Sequence, residues 1–217
     1  MAKIPIEQRI TGRNDDLAAA NRRRFREAGL CVVNILSSPG SGKTSLLERM
    51  AAHMKDNVRM LVIDGDVETE HDAQRIRAAG VEAIQIQTHG ACHLDARRID
   101  EHLGGIALAD YQLLLIENVG NLVCPSSFDL GEDLRVVVAS TTEGDDKPLK
   151  YPKAYRTADA CVLNKTDLLP HLDFDVAGFE AGARRVNADL ELFRTSCVTD
   201  EGIGQWCAWL KGHLGER

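Results

Sequence analysis

The 217-residue chain lacks several things that would mark a special class of protein. It has no apolar run approaching the roughly 20 residues of a membrane helix, and Met1 to Gly12 contains no apolar stretch resembling a signal peptide. It has no basic excess: 26 Lys and Arg stand against 33 Asp and Glu, a net charge of −7, which argues against a general nucleic-acid binder. None of its six cysteines forms a CxxC pair, and a chain of this size needs no disulfide staples. There is no internal repeat and no low-complexity tract. These absences imply a cytoplasmic protein with reduced thiols, no membrane partner and no nucleic-acid partner. With 44% hydrophobic and 27% charged residues the composition is that of an ordinary globular chain, and the length suits one domain.

What is present is an alternation of short apolar runs with helical patterns. Runs at Cys31–Leu36, Met60–Asp64, Val81–Gln87, Leu113–Glu117, Arg135–Ser140, Ala160–Asn164 and Glu191–Thr195 read as strands. Helical patterns lie between most of them and after the last. Rich in Val, Ile and Leu, such runs fit a mostly parallel sheet with helices on both faces, an α/β architecture. Before the first strand, Asn14 to Ala28 predicts an extra helix, capped by Asn14 or Asp15 and stopped at Gly29. Its arginines Arg22, Arg23, Arg24 and Arg26 read as a solvated face. The whole, residues 1–217, is expected to be a single nucleotide-binding domain with a short N-terminal helical extension at about 1–30.

Ser37 to Thr44 reads SSPGSGKT. It ends as the phosphate-loop pattern G-x-x-x-x-G-K-[ST] does, with Ser37 in place of the first glycine, between a buried strand and a helix. Pro39, Gly40, Ser41 and Gly42 would curl the backbone so that its N–H groups face phosphates, and Ser45 follows in the helix. Lys43 would reach the terminal phosphates and Thr44 would ligate magnesium. The fold expected is therefore that of a P-loop NTPase. Asp66, after the second strand, and Glu117, at the end of the fourth, are the candidate carboxylates for magnesium, and with Lys43 the candidate catalytic residues.

Asn164 to Asp167 reads NKTD directly after an apolar strand. Asp167 can accept hydrogen bonds from guanine N1–H and its exocyclic amine, donors adenine lacks. Asn164 suits the other base edge, the Lys165 stem can cover the ring, and Ser196 lies after the last strand, where a second base-contacting loop is expected. Four polar residues after a strand are often only a turn. About 120 residues after GSGKT, they point to GTP and GDP.

A third constellation comprises Cys92–His93, after the third strand, and Cys124, seven residues beyond Glu117. Thiolate and imidazole together suit nickel or zinc. Three ligands leave a position open, which suits transfer better than permanent structure. Two unrelated thiols and a loop histidine remain the alternative on spacing alone. Cys31, Cys161 and Cys207 fall at apolar positions and read as core residues, Cys197 is ambiguous, and of the other histidines His89 is nearest the candidate ligands. Lys147, Lys150 and Lys153 of KPLKYPK read as solvated.

From about residue 15 onward, the segments SSPGSGKTSLLE, VIDGDVETEHDA, GACHLDA, IENVGNLVCP, TEGDDKPLKYP and NKTD closely resemble, in order, the hydrogenase nickel-incorporation GTPases of the HypB family. The resemblance implies a GTPase of slow intrinsic turnover that assists nickel insertion into [NiFe]-hydrogenase. It implies a GTP-dependent homodimer, with Cys92, His93 and Cys124 forming a nickel or zinc site at or near its interface, and as partners a HypA-type nickel chaperone and the hydrogenase large subunit. Residues 1–30 hold neither Cys nor His, unlike relatives with an N-terminal metal-binding motif, so only the site within the domain is expected. The alternatives are a urease-type nickel chaperone GTPase, whose relatives carry Cys-Pro-His where this chain reads Cys92–His93, and a non-catalytic metal-binding protein.

Overall fold

Seven strands form one parallel sheet in the computed structural model, which describes residues 6–66 and 70–215, with the backbone alone at 6–11 and 66. The strands are β1 (Cys31–Ser37), β2 (Met60–Asp66), β3 (Glu82–Gln87), β4 (Leu113–Glu117), β5 (Leu134–Ser140), β6 (Ala160–Asn164) and β7 (Glu191–Arg194). Their order across the sheet is β3-β2-β4-β1-β5-β6-β7. The helices are α1 (Ile6–Glu27), α2 (Lys43–Met54), α3 (His71–Ala78), α4 (Ala96–Leu103), α5 (Lys147–Lys150), α6 (Pro152–Arg156), α7 (Val176–Val186) and α8 (Ile203–Gly212).

Alternate residues of each strand feed opposite cores, as the period of two requires. Cys31, Val33 and Ile35 of β1 join Val62, Leu115, Val136 and Val162 under α2, α3 and α8, where Trp206 is fully buried. Val32, Leu61, Ile63, Leu114 and Ile116 meet α1 and α4 through Phe25, Ile99 and Leu103. Val137, Ala139, Cys161 and Leu163 meet α6 and α7 through Tyr155 and Phe179. The expected architecture, helices on both faces of a parallel sheet, is the observed one.

Because every strand runs the same way, every loop leaving a strand's C-terminal end lies along one edge. That edge gathers the phosphate loop after β1, Asp66 at the end of β2, Cys92–His93 after β3 and Cys124 after β4. It also holds Thr141 after β5, NKTD after β6 and Ser196 after β7.

The N-terminal helix differs from the expectation. It begins at Ile6 rather than at Asn14 or Asp15, so neither residue is a cap, and Asn14 is buried in mid-helix. Its arginines are only partly a solvated face. Arg23 and Arg26 are exposed, whereas Arg22 pairs with Asp129 at 2.7 Å and Arg24 with Asp100 at 3.1 Å. These partners lie far away in sequence, where no local pattern points to them.

Candidate functional site

The phosphate loop has the shape its glycines allow. Gly40 and Gly42 sit at φ 74° and 96°, in the left-handed region glycine tolerates without strain, and Gly42 leads directly into α2. A Cβ on Gly42 would lie 2.5 Å from Asn164 Nδ2, so this position admits no side chain. Pro39 meets the loop after β4 closely: a Cβ on Gly120 would be 3.1 Å from Pro39 Cα. Ser41 Oγ donates to the Ser38 carbonyl at 2.9 Å, and Ser45 Oγ accepts from Arg75 at 3.1 Å. Ser37, in the place of the usual glycine, accepts from Lys43 Nζ at 2.8 Å and donates to the Ser38 carbonyl at 2.7 Å.

Lys43 Nζ is 4.0 Å from Glu117 Oε1, and Thr44 Oγ1 donates to that same oxygen at 2.8 Å. Glu117 is 4% exposed and, among the described residues, its Oε2 has no hydrogen-bond partner. Burial pushes its carboxyl up to about 7, against the opposing pull of Lys43 and Thr44. An orphaned, desolvated carboxylate oxygen beside a threonine hydroxyl at a helix N-terminus fits a hard cation carried with nucleotide phosphates. Asp64, buried, lies opposite Glu117 in the β2–β4 register. The backbone of Asp66 ends β2 on this edge, and its side chain lies outside the described residues.

The NKTD segment is fastened to the phosphate loop. Asn164 Nδ2 donates to the Ser41 carbonyl at 3.1 Å, and Lys165 Nζ to the Gly40 carbonyl at 2.7 Å. Lys165 adopts φ 63°, a conformation uncommon for a side-chain-bearing residue, and its carbonyl accepts from Thr141 Oγ1 at 2.7 Å. Ser196 Oγ donates to Asp167 Oδ1 at 2.6 Å while accepting from the Val198 and Thr199 amides. The Asp167 carboxylate is thereby oriented by the loop after β7. Cys197 donates to Asn164 Oδ1 at 3.4 Å, a further contact to NKTD.

The ligand atoms of Cys92, His93 and Cys124 all lie within 4.8 Å of one another. Ligands sharing one tetrahedral ion at about 2.0–2.3 Å would stand roughly 3.3–3.8 Å apart, so little movement is needed to chelate. Cys92 Sγ is 3.6 Å from His93 Nδ1. The His93 ring stacks on Phe128 with centroids 3.9 Å apart. The Cys124 thiol beside it, and partial burial, push the Cys92 thiol above its ordinary range, and burial holds His93 below its own. His93 is thus disposed to be neutral, as a metal-binding imidazole must be. His89 is not part of this cluster. Cys31, Cys161 and Cys207 are buried as expected.

Two features escaped the sequence. Lys147 is not simply solvated: its Nζ donates to Ser38 Oγ at 3.0 Å and lies 3.9 Å from Glu143, so a second ammonium group stands against the phosphate loop. Its place shortly after β5, on the nucleotide edge, was the available signal. Lys150 and Lys153 bond Asp146 and Ser127. Asn118, 1% exposed, ties the segment after Glu117 to the segment after His93. Its Oδ1 accepts from the Leu94 amide at 3.1 Å and its Nδ2 donates to Asn34 at 3.2 Å.

This fold and this edge define a P-loop nucleotide-binding protein with a cysteine–histidine cluster on the same sheet edge as the phosphate loop. The model of the CobW/HypB/UreG nucleotide-binding domain matches residues 31–194. The hydrogenase maturation factor HypB of Azotobacter vinelandii is 54% identical over 214 residues, 99% of this chain and 71% of that one. The chain belongs to the CobW/HypB/UreG family and, within it, to the HypB hydrogenase maturation factors. Among solved structures, HypB from Archaeoglobus fulgidus superposes with a TM-score of 0.87 at 41% identity, covering 93% of this chain and 98% of that one. HypB from Helicobacter pylori, solved in complex with nickel, also gives 0.87, at 37% identity, covering 94% of this chain and 99% of that one.

Proposed function

We propose that this protein is a GTP-hydrolysing nickel chaperone for [NiFe]-hydrogenase maturation, in which nucleotide state governs a transferable metal ion. The observation that carries the reading is the continuity of one loop. Glu117, bonded to Thr44 of the phosphate site, ends β4, and Cys124 follows seven residues later on the same loop. Glu117 and Thr44, on holding magnesium carried with a nucleoside triphosphate, would bias the segment that carries a metal ligand, the logic of other nucleotide switches.

Lys43, the Gly40 and Gly42 loop and the N-terminus of α2 bind and orient the phosphates. Thr44, Glu117 and Asp66 would hold magnesium, which would supply positive charge to offset that developing on the phosphates. Asn164, Lys165, Asp167 and Ser196 select guanine. Neither motif supplies a catalytic glutamine or arginine, so intrinsic hydrolysis is slow, in the range where such a group adds roughly 10³–10⁵. Nickel, the cargo, is held by Cys92, His93 and Cys124. Three ligands leave a coordination position for a second protomer or an acceptor. A GTP-dependent homodimer, a HypA-type donor and the hydrogenase large subunit complete the proposed cycle.

The base-site assignment is tested by Asp167→Asn. Replacing an ionised acceptor of two hydrogen bonds by an amide leaves a guanine donor facing a donor. GDP affinity should fall by at least about 100-fold, roughly 2.7 kcal/mol, with partial recovery for xanthine nucleotides, which present an acceptor there. Competition against a fluorescent GDP reads both. Unchanged guanine preference would refute the assignment.

A further inference from the structure

The cysteine–histidine cluster is built on two separate limbs. One runs from Thr88 through Cys92 and His93 into α4, and the other from Glu117 through Cys124 and Phe128 to Glu132. Near the ligands they are joined by the His93–Phe128 stack, by the Leu94 amide donating to Asn118 Oδ1 at 3.1 Å, and by a long bond, 3.4 Å, from Asn121 Nδ2 to the Cys92 carbonyl. Both limbs, however, end on the same helix.

Residues 14, 18, 21, 22 and 25 of α1 share one face at helical spacing. Asn14 and Asn21 are 7% and 2% exposed there, where an apolar residue would be usual. Each makes one bond to each limb. Asn14 Oδ1 accepts from the Ala96 amide at 3.0 Å, and its Nδ2 donates to the Asp129 carbonyl at 2.8 Å. Asn21 Nδ2 donates to the Ala96 carbonyl at 2.9 Å and to the Leu130 carbonyl at 3.1 Å. The Ala96 amide is one of the donors that the start of α4 leaves without an intrahelical partner. Arg22 adds a forked bond to the Asp129 carboxylate at 2.7 and 2.8 Å. Gly131, at φ 92°, lets the second limb come so close that a Cβ there would lie 2.7 Å from the Ala18 carbonyl.

Ala96 lies three residues after His93, and Asp129 one residue after Phe128, the ring on which His93 rests. A single face of α1 therefore bridges the two ligand-bearing limbs at their far ends, in addition to the Asn118–Leu94 bond near the ligands. Among the described residues, no α1 side chain hydrogen-bonds the phosphate loop or NKTD. We propose that Asn14 and Asn21 are positioning residues for the metal site, holding its two limbs at chelating distance without touching the ligands. This rests on the metal-site reading above. A chelate whose parts are held in place does not have to be ordered when the ion arrives, and loosening it weakens binding.

The test compares Asn21→Ala and Asn14→Ala with wild type in the full chain. Nickel is titrated alone at fixed magnesium and GDP, a fluorescent GDP is titrated separately, and melting curves confirm folding. Nickel affinity should fall at least tenfold in each variant, with GDP affinity within about twofold. The second variant carries the test if the first does not fold. Unchanged nickel affinity in a folded variant overturns the proposal, as does a parallel loss of nickel and GDP binding, which would mark a general structural role. A wild-type protein that binds no nickel would overturn the metal-site reading itself. Nickel binding by wild type with undiminished binding by a folded variant would overturn the positioning role alone.

Discussion

Replacing Lys43 by alanine should weaken guanine-nucleotide binding by at least about 100-fold while leaving the fold of the ligand-free protein intact. The ammonium group is held by Ser37 Oγ at 2.8 Å and lies 4.0 Å from Glu117. It therefore stands ready at the floor of the loop before any phosphate arrives. Losing a positioned, partly desolvated cation from a phosphate site costs on the order of 3–5 kcal/mol. Stability should change far less. Removing Lys43 removes one influence that favours the ionised Glu117, whose carboxyl is already pushed up to about 7 by burial and can take a proton instead of remaining a stranded charge. Fluorescent-nucleotide titration and a melting curve measure the two effects. Binding retained within tenfold of wild type would remove Lys43 from the phosphate site.

Cys124→Ala should abolish tight nickel binding, with a loss of at least about 100-fold, and leave nucleotide binding within twofold. Cys124 is half-buried on a short turn and belongs to none of the three hydrophobic cores, so its truncation opens no cavity in them. Removing it reduces a three-ligand site to the adjacent pair Cys92–His93. Cys161→Ala is the control. That thiol is enclosed among strand residues, and burial pushes it far above the ordinary thiol range, so it offers no accessible ligand. An unaltered nickel isotherm in the Cys124 variant would sink the assignment.

The strands and the nucleotide motifs were legible because their information is local. A run such as LLLIE can bury both faces only in the middle of a covered sheet, and β4 is found at Leu113–Glu117 as expected. SSPGSGKT and NKTD each carry their chemistry within a few consecutive residues. The metal cluster was partly legible: two short segments each leave a strand end, and parallel topology places such ends on one edge. What was not legible is held by pairs distant in sequence. Asn14 reads locally as a helix cap, because asparagine competes well with the backbone there, yet its partners are 82 and 115 residues away. Arg22 reads as solvated until Asp129, 107 residues on, is seen against it. Lys147 meets Ser38 across 109 residues. Ser37 departs from the usual pattern, and its use, seating the lysine ammonium, needs the loop's three-dimensional curl.

The central claim is that nucleotide state controls the metal. Glu117 and Cys124 share a loop, and Asn118 joins the same loop to the Cys92–His93 limb through the Leu94 amide, so a change at the phosphate site has a short mechanical path to all three ligands. The most direct measurement is a nickel titration of the purified protein with GDP and again with a non-hydrolysable GTP analogue, both with magnesium. The account predicts affinities that differ at least tenfold, a coupling of about 1.4 kcal/mol. Equal, measurable affinities in the two states would contradict it.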